Sequence, residues 1–265
     1  MYEKRIVAFL DILGFGALVE ESDSSPELAN NILLALKSMS PDNLQKEADA
    51  TLNYDRIPEE RVEEAEAVLQ AFNEHVRRSY QVDISYFSDC IVLSALASNV
   101  MSKQMLLDIV GKFSINLWAE HKLLVRGGLT VGNLYHEDGG PVFGPAMNRA
   151  YYIESKLAKN PRVLIDTECM DEYRQDRTFS VLESMIELED SGEHYASLST
   201  VYRHYINDSS YAWSQAPIVK THKEQFFSLN ASILERLKAF DNEGVILKYE
   251  WMLKDIDKIT RDIKP

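Results

Sequence analysis

The sequence predicts an α+β fold of ferredoxin-like βαββαβ type, with an inserted helix and a largely helical C-terminal extension. Two observations carry this. Short apolar, β-branched runs alternate with segments of helical periodicity in the order β-α-insert-β-β-α-β-α-β, which is that of a split βαβ unit. The second and third strands are separated only by Ser88-Asp89, so they read as an antiparallel hairpin.

Taken in order, residues 4–12 are a buried strand ending in Phe9-Leu10-Asp11-Ile12-Leu13. A Gly14-Phe15-Gly16 turn follows, and then a helix containing Leu18 and Val19. Ser25-Pro26 restarts a helix, with an N-cap serine and proline at the first helical position, running through Leu28, Ile32, Leu33 and Leu36. Residues 40–60 carry Pro41, Asp42, Asn43 and Pro58 and read as a loop or insertion. Val62, Ala65, Val68, Leu69, Phe72 and Val76 give residues 60–79 one apolar helical face.

The hairpin strands occupy residues 81–88 and 90–95, and Met105, Leu106, Ile109, Val110, Phe113 and Leu117 mark a helix over residues 102–119. In the strand at residues 122–132, alternation sets Val125, Gly127, Leu129 and Val131 on one face and Leu124, Arg126, Gly128 and Thr130 on the other. A Gly-rich loop or short hairpin (133–143), a helix (145–158) and a strand (Arg162–Asp166) follow. Beyond residue 170 the signals weaken. The acidic run Glu183–Glu193 reads as a solvated surface, residues 197–240 as helices and residues 243–253 as a final strand. The chain divides into a core over 1–175 and a C-terminal elaboration over 176–265, packed on the same domain.

The 265 residues are 45% hydrophobic, enough for a sizeable core. A net charge of −14, from 28 Lys+Arg against 42 Asp+Glu, argues against a nucleic-acid polymer as partner, because phosphate backbones need a basic face. A nucleotide remains compatible with it when a divalent ion reverses the local sign. Cys90 and Cys169 form no CxxC and read as free thiols. With no signal-peptide pattern and no run of about 20 apolar residues, the expectation is a cytoplasmic protein with no membrane partner.

Two carboxylates stand out. Asp11 ends one apolar strand and Asp89 sits in the hairpin of another, and a carboxylate at a buried strand edge is costly unless paired or bound to a cation. Two of them on neighbouring strands point to a divalent-metal site for a triphosphate. Backbone N–H groups from Ile12 to Phe15, around Gly14, would cradle phosphates. His121 and His136 lie beside loops and are assigned to the surface, and Tyr151-Tyr152 reads more as packing than as chemistry.

Four segments in order, Phe9-Leu10-Asp11-Ile12-Leu13-Gly14-Phe15, Phe87-Ser88-Asp89, Val125-Arg126-Gly127-Gly128-Leu129-Thr130-Val131-Gly132 and Gly144-Pro145-Ala146-Met147-Asn148-Arg149-Ala150-Tyr151-Tyr152-Ile153-Glu154, resemble the catalytic domain of class III nucleotidyl cyclases over residues 4–170. The resemblance implies two divalent ions, Mn²⁺ or Mg²⁺, held by Asp11, Asp89 and the Ile12 carbonyl. It implies phosphate contacts from Arg126, with Gly14 and Phe15 at the nucleotide, and a ribose-orienting role for Asn148. It further implies a head-to-tail homodimer whose sites each draw on both subunits.

The chain departs from the purine enzymes of that family. The base-selecting lysine four residues before the second aspartate is Ser85, and the acidic or small polar residue seven before the asparagine is Pro141. The transition-state arginine four residues after it is Tyr152, for which Arg149 is a substitute. The combination resembles the stand-alone pyrimidine cyclases of Pycsar anti-phage defence. The expected activity is conversion of UTP, ahead of CTP, to the 3′,5′-cyclic monophosphate, which activates a separate effector. The segment Asn53-Tyr54-Asp55-Arg56 is the candidate base contact, with Tyr54 stacking. An adenylate or guanylate cyclase with an atypical base pocket, and an inactive nucleotide-binding dimer, are the alternatives. A diguanylate cyclase is set aside because no second acid follows Asp89.

Overall fold

The computed structural model describes residues 1–49, 54, 57–207, 216–238 and 242–263. Its centre is a mixed sheet in which β1 (Glu3–Ile12) lies between β3 (Cys90–Leu96) and β4 (Val125–His136), antiparallel to both. β2 (Asp83–Phe87) pairs with β3 across the two-residue Ser88-Asp89 turn, where Ser88 takes a left-handed φ of 55°. The order β2-β3-β1-β4 is the ferredoxin-like arrangement expected from the sequence. The sheet then continues through β6 (Arg162–Ile165), parallel to β4, while the short β5 (Val142–Phe143) closes a hairpin on the end of β4.

Strand alternation gives β1 two different faces. Ile6, Ala8, Leu10 and Ile12 enter the main core, which includes residues of α2 (Pro26–Ser38), α3 (Pro41–Ala48) and α5 (Val100–His121). Val7 and Phe9 enter a smaller cluster with Ala146 and Ala150 of α6 (Pro145–Tyr152). Asp11 follows in the same register, so it projects on the α6 side of the sheet, beyond Phe9. The backbone of α6 lies directly on β4. A Cβ at Gly128 would meet the Ala150 carbonyl oxygen at 2.4 Å and Ile153 Cβ at 2.7 Å, so only glycine permits this approach. The chain then makes a single π turn over Ile153–Leu157, a device that often re-aims side chains at functional positions.

Several sequence expectations change. Residues 41–48 form α3 rather than a loop, with Pro41 at the first helical position and Leu44 fully buried. Residues 62–79 form the expected helix, α4 (Val62–Ser79). The supposed final strand at residues 243–253 is helical, within α10 (Glu243–Thr260). Its run of Val, Ile, Leu, Tyr and Trp has the composition of a strand, but the buried positions Tyr249, Met252, Ile256 and Ile259 recur at helical spacing. The acidic run is not a free surface. It supplies β7 (Glu187–Leu188), which pairs with β8 (His194–Ser197), and β8 pairs in turn with β6. Glu187 pairs with Arg203 at 2.6 Å, and Glu189 and Glu193 with Arg162.

The sheet therefore runs on past residue 175. Residues of α7 (Thr167–Arg174), α8 (Leu198–Asn207), α9 (Ala216–Leu237) and α10 all join the main core. α10 is anchored to β8 by Asp255, which accepts from Tyr195 Oη at 2.8 Å and Ser197 Oγ at 2.6 Å. The Arg162 guanidinium adds 5.1 and 5.4 Å contacts to the Tyr195 and Trp251 rings. Among the described residues no helix is long and apolar enough to cross a membrane.

Candidate active site

Register decides what surrounds Asp11. It lies opposite Cys90 on one neighbour and opposite Arg126 on the other, and directly paired residues project on the same face. Arg126 Nε donates to Asp11 Oδ2 at 3.1 Å, and Arg126 Nη2 lies 3.0 Å from the same oxygen. Cys90 Sγ lies 3.6 Å from Asp11 Oδ1 and 3.9 Å from Asp89 Oδ1. The hairpin is tied to the strand end by the Ile12 N–H, which donates to the Asp89 carbonyl at 3.2 Å. Ligand atoms of Asp11, Asp89 and Cys90 all fall within 4.8 Å of one another.

A third acid completes this group. The π turn directs buried Glu154 at Arg126, with Oε1 2.6 Å from Nε. That contact is an ion pair out of line for a hydrogen bond, so the buried oxygen carries none. Asp11 and Glu154 thus share one arginine, with Asp89 beside Asp11 as the third acid. Burial, the adjoining Asp89 carboxyl and the Glu154 charge push Asp11 up to about 7, against the pull of Arg126. Burial likewise raises Glu154, and burial with Asp89 and Asp11 pushes the Cys90 thiol up to about 12.

An excess of negative charge, two carboxylates within reach of one ion and an oxygen-rich donor set fit a hard divalent cation of the Mg²⁺ or Mn²⁺ kind. Gly14, in a left-handed conformation at φ 78°, turns the chain from β1 into α1 (Phe15–Ser22), with Phe15 packed on the core. A Cβ at Gly14 would meet nothing within 4 Å, so the backbone is open at this point, but the Ile12 and Leu13 N–H groups already donate to the Asp89 and Leu124 carbonyls, which removes them from the expected phosphate cradle.

The structure brings Asp11, Ile12, Asp89 and Arg126 together, with Gly14 and Phe15 beside them. It does not bring Asn148, Arg149 or Tyr152 into contact with them. These three lie exposed on α6. Arg149 is held by Asp166 through Nε at 2.8 Å and Nη2 at 3.1 Å, with its guanidinium 5.7 Å from the centre of the Tyr152 ring. Tyr54 is exposed and donates to Glu66 at 3.1 Å, while the remainder of its segment, Asn53, Asp55 and Arg56, lies outside the described residues.

Ser85 is engaged in a polar chain across the sheet. Arg5 Nε donates to Ser94 Oγ at 2.8 Å, and Ser94 Oγ lies 2.8 Å from His136 Nδ1. His136 Nε2 lies 3.0 Å from Ser85 Oγ, and Ser85 Oγ donates to the Gly140 carbonyl at 2.8 Å. Because Ser85 spends its proton on Gly140, His136 Nε2 must donate and Nδ1 must accept, which assigns the neutral Nε2–H tautomer. This corrects the surface assignment of His136: burial first, and then Arg5, lower its pKa to about 4. His121 is also partly buried, 2.8 Å from Asn31 Oδ1.

A stability prediction follows from His136. Its folded pKa is depressed below the unfolded value of about 6.5, so the folded chain binds fewer protons in that range. Stability linked to this residue is present above about 6.5 and is lost as pH falls towards about 4. Urea unfolding at pH 7 and pH 5 should show a His136-dependent loss of about 2 kcal/mol, removed in His136→Gln. An equal pH response in both proteins would refute the half-buried neutral imidazole.

The sequence reading missed the roles of two residues. Glu154 was within reach of pattern reasoning, since it is the acid that follows α6 where the chain must turn back to the sheet. Cys90 follows from the hairpin itself, because a two-residue turn at Ser88-Asp89 sets Cys90 opposite Phe87 and hence next to the strand carrying Asp11.

No protein-family model matches the chain, and no curated protein does. Among solved structures it is similar to the adenylyl cyclase CyaB from P. aeruginosa, with 15% identity and a TM-score of 0.47 over 74% of this chain and 94% of that one. It is similar to the guanylyl cyclase domain of the RhoGC fusion protein from Blastocladiella emersonii, with 13% identity and a TM-score of 0.41 over 74% of this chain and 95% of that one. A third is the guanylate cyclase domain of RhGC from Catenaria anguillulae in complex with GTP, with 13% identity and a TM-score of 0.38 over 74% of this chain and 97% of that one.

Proposed function

We propose that the chain is a nucleotidyl cyclase that converts a pyrimidine nucleoside triphosphate, UTP ahead of CTP, to its 3′,5′-cyclic monophosphate and pyrophosphate. The observation that carries this reading is the Asp11–Asp89 pair, set by register beside Arg126 at the end of β1. The ribose 3′-oxygen forms a bond to the α-phosphorus, the bond from that phosphorus to the β-phosphate bridging oxygen breaks, and the 3′-hydroxyl proton passes to solvent. Two bound divalent ions would lower the pKa of the hydroxyl and neutralise the phosphates. Asp11, Asp89 and the Ile12 carbonyl would hold them. Arg126, released from part of its acid pairing when cations occupy the carboxylates, then has donors to offer the phosphates.

Asn148 and Tyr152 belong to the partner's site in a head-to-tail homodimer. Their exposure on α6 supports this, as does the exposed aromatic set Phe87, Phe143, Tyr151 and Tyr152. With Arg149 paired to Asp166, Tyr152 is the donor available to the transition state, so a slower enzyme than one carrying an arginine is expected. The base assignment rests on Ser85 in place of a lysine. The biological setting proposed is anti-phage signalling through a cyclic-nucleotide-activated effector. Incubation of the purified chain with ATP, GTP, CTP or UTP and Mn²⁺, with products weighed by mass spectrometry, should yield cyclic UMP foremost. A purine cyclic product alone would keep the cyclase and discard the pyrimidine.

A further inference from the structure

The strand pairing that sets Asp11 opposite Arg126 continues through Ile12 and Val125 to a hydrogen bond from Leu13 N to the Leu124 carbonyl at 2.8 Å. Beyond that point, at the C-terminal end of β1, lies a cavity of about 120 Å³, room for several water-sized groups. Its near side is Leu13, Gly14 and Leu124, and its far side comes from the C-terminal helices, through Arg236 of α9 and Lys248 of α10. Lys122 is a third cation in its lining, and Glu21 is the one acid there. Arg236 already donates to Tyr249 Oη at 3.2 Å, and Lys122 to the Ala119 carbonyl at 3.0 Å.

Lys248 is different. It is half-buried, and among the described residues it makes neither a hydrogen bond nor an ion pair. Burial, and then the charge of nearby Arg126, lower its pKa. The rest of the lining is largely apolar, and its charged groups are three cations against one acid. A partly desolvated ammonium beside a guanidinium in such a cavity is a charge in want of an anion.

We propose that Lys248 binds the terminal phosphate of the nucleoside triphosphate in this cavity, so that the C-terminal helix α10 completes the substrate site from within the same chain. This rests on the cyclase reading. It gives the phosphate chain a path from the Asp11–Asp89 carboxylates, past Arg126 and the Gly14 turn, to α10. It also gives the docking of α10 through Asp255 and Trp251 a functional consequence: that packing fixes where Lys248 stands.

The test is Lys248→Met in the full chain, which keeps the apolar stem and removes the charge, beside Lys248→Arg and the exposed control Lys254→Met. The terminal phosphate is remote from the reacting bond, so its loss as a ligand acts on binding. Lys248→Met should raise KM for the triphosphate about ten- to a hundredfold with kcat within about threefold. Lys248→Arg should recover most of this, and Lys254→Met should match the parent. Calorimetry with inorganic tripolyphosphate and Mg²⁺ should show the same loss of affinity without requiring turnover. Turnover with an unchanged KM in Lys248→Met overturns the subsite and leaves the cyclase reading standing. Lys248-dependent tripolyphosphate binding without any turnover counts against the cyclase reading alone. Absence of both turnover and tripolyphosphate binding overturns both.

Discussion

Asp11→Asn should abolish cyclic nucleotide formation, by about a thousandfold or more, without weakening the fold. The two halves of that result have one origin. Asp11 is kept at the end of a buried strand with Asp89 and Glu154 close by, and its carboxyl is pushed from 3.8 to about 7. A carboxyl whose folded pKa is raised favours the unfolded chain increasingly as pH climbs from the lower value to the upper. In metal-free buffer at pH 7, Asn at this position should therefore give equal or greater resistance to urea. Added Mn²⁺ or Mg²⁺ should raise the melting temperature of the parent and leave Asp11→Asn unmoved, because ligands stabilise only the state that binds them. A variant that melts well below the parent in metal-free buffer would show that Asp11 serves the fold.

The second large effect concerns assembly. Asp89→Ala and Asn148→Ala chains should each be inactive alone, yet an equimolar mixture should recover about a quarter of parental activity. Under two-fold symmetry half of the random dimers are mixed, and each mixed dimer keeps one intact site of two. The structure motivates this through what it keeps apart: Asp89 lies in the hairpin at the end of β1, whereas Asn148 is exposed on α6 and makes no side-chain hydrogen bond among the described residues. No recovery after the chains have exchanged would place the whole site within one subunit.

Both predictions draw on features that were readable in the sequence to different depths. The ferredoxin-like order was legible because its strands carry apolar runs of unambiguous length and its hairpin has a two-residue turn. Asp11 and Asp89 were legible as carboxylates at the edges of apolar strands, where burial is costly without a partner, and Arg126 through the resemblance of its strand to that of the cyclases. The C-terminal third was not. Its final helix opens on Val245-Ile246-Leu247, a composition that suits a strand as well as a helix, and only the spacing of Tyr249, Met252, Ile256 and Ile259 separates the two.

The acidic segment around Glu187 escaped for a different reason. Its counter-ions Arg162, Arg203 and Lys258 are distant in sequence, so a run of like charge gave no sign of pairing. Lys248 shares that difficulty. It gains its meaning from Arg126, which it does not approach along the chain.

The central claim is that the carboxylate pair serves intramolecular phosphoryl transfer, and ³¹P NMR of the reaction tests it most directly. With Mg²⁺ and each of the four nucleoside triphosphates in turn, the parent chain should replace the three triphosphate resonances of at least one of them with a cyclic phosphodiester signal and pyrophosphate, and Asp89→Asn should leave the spectrum unchanged. Release of inorganic phosphate with a nucleoside diphosphate, or triphosphate signals that persist in all four reactions, would contradict the account.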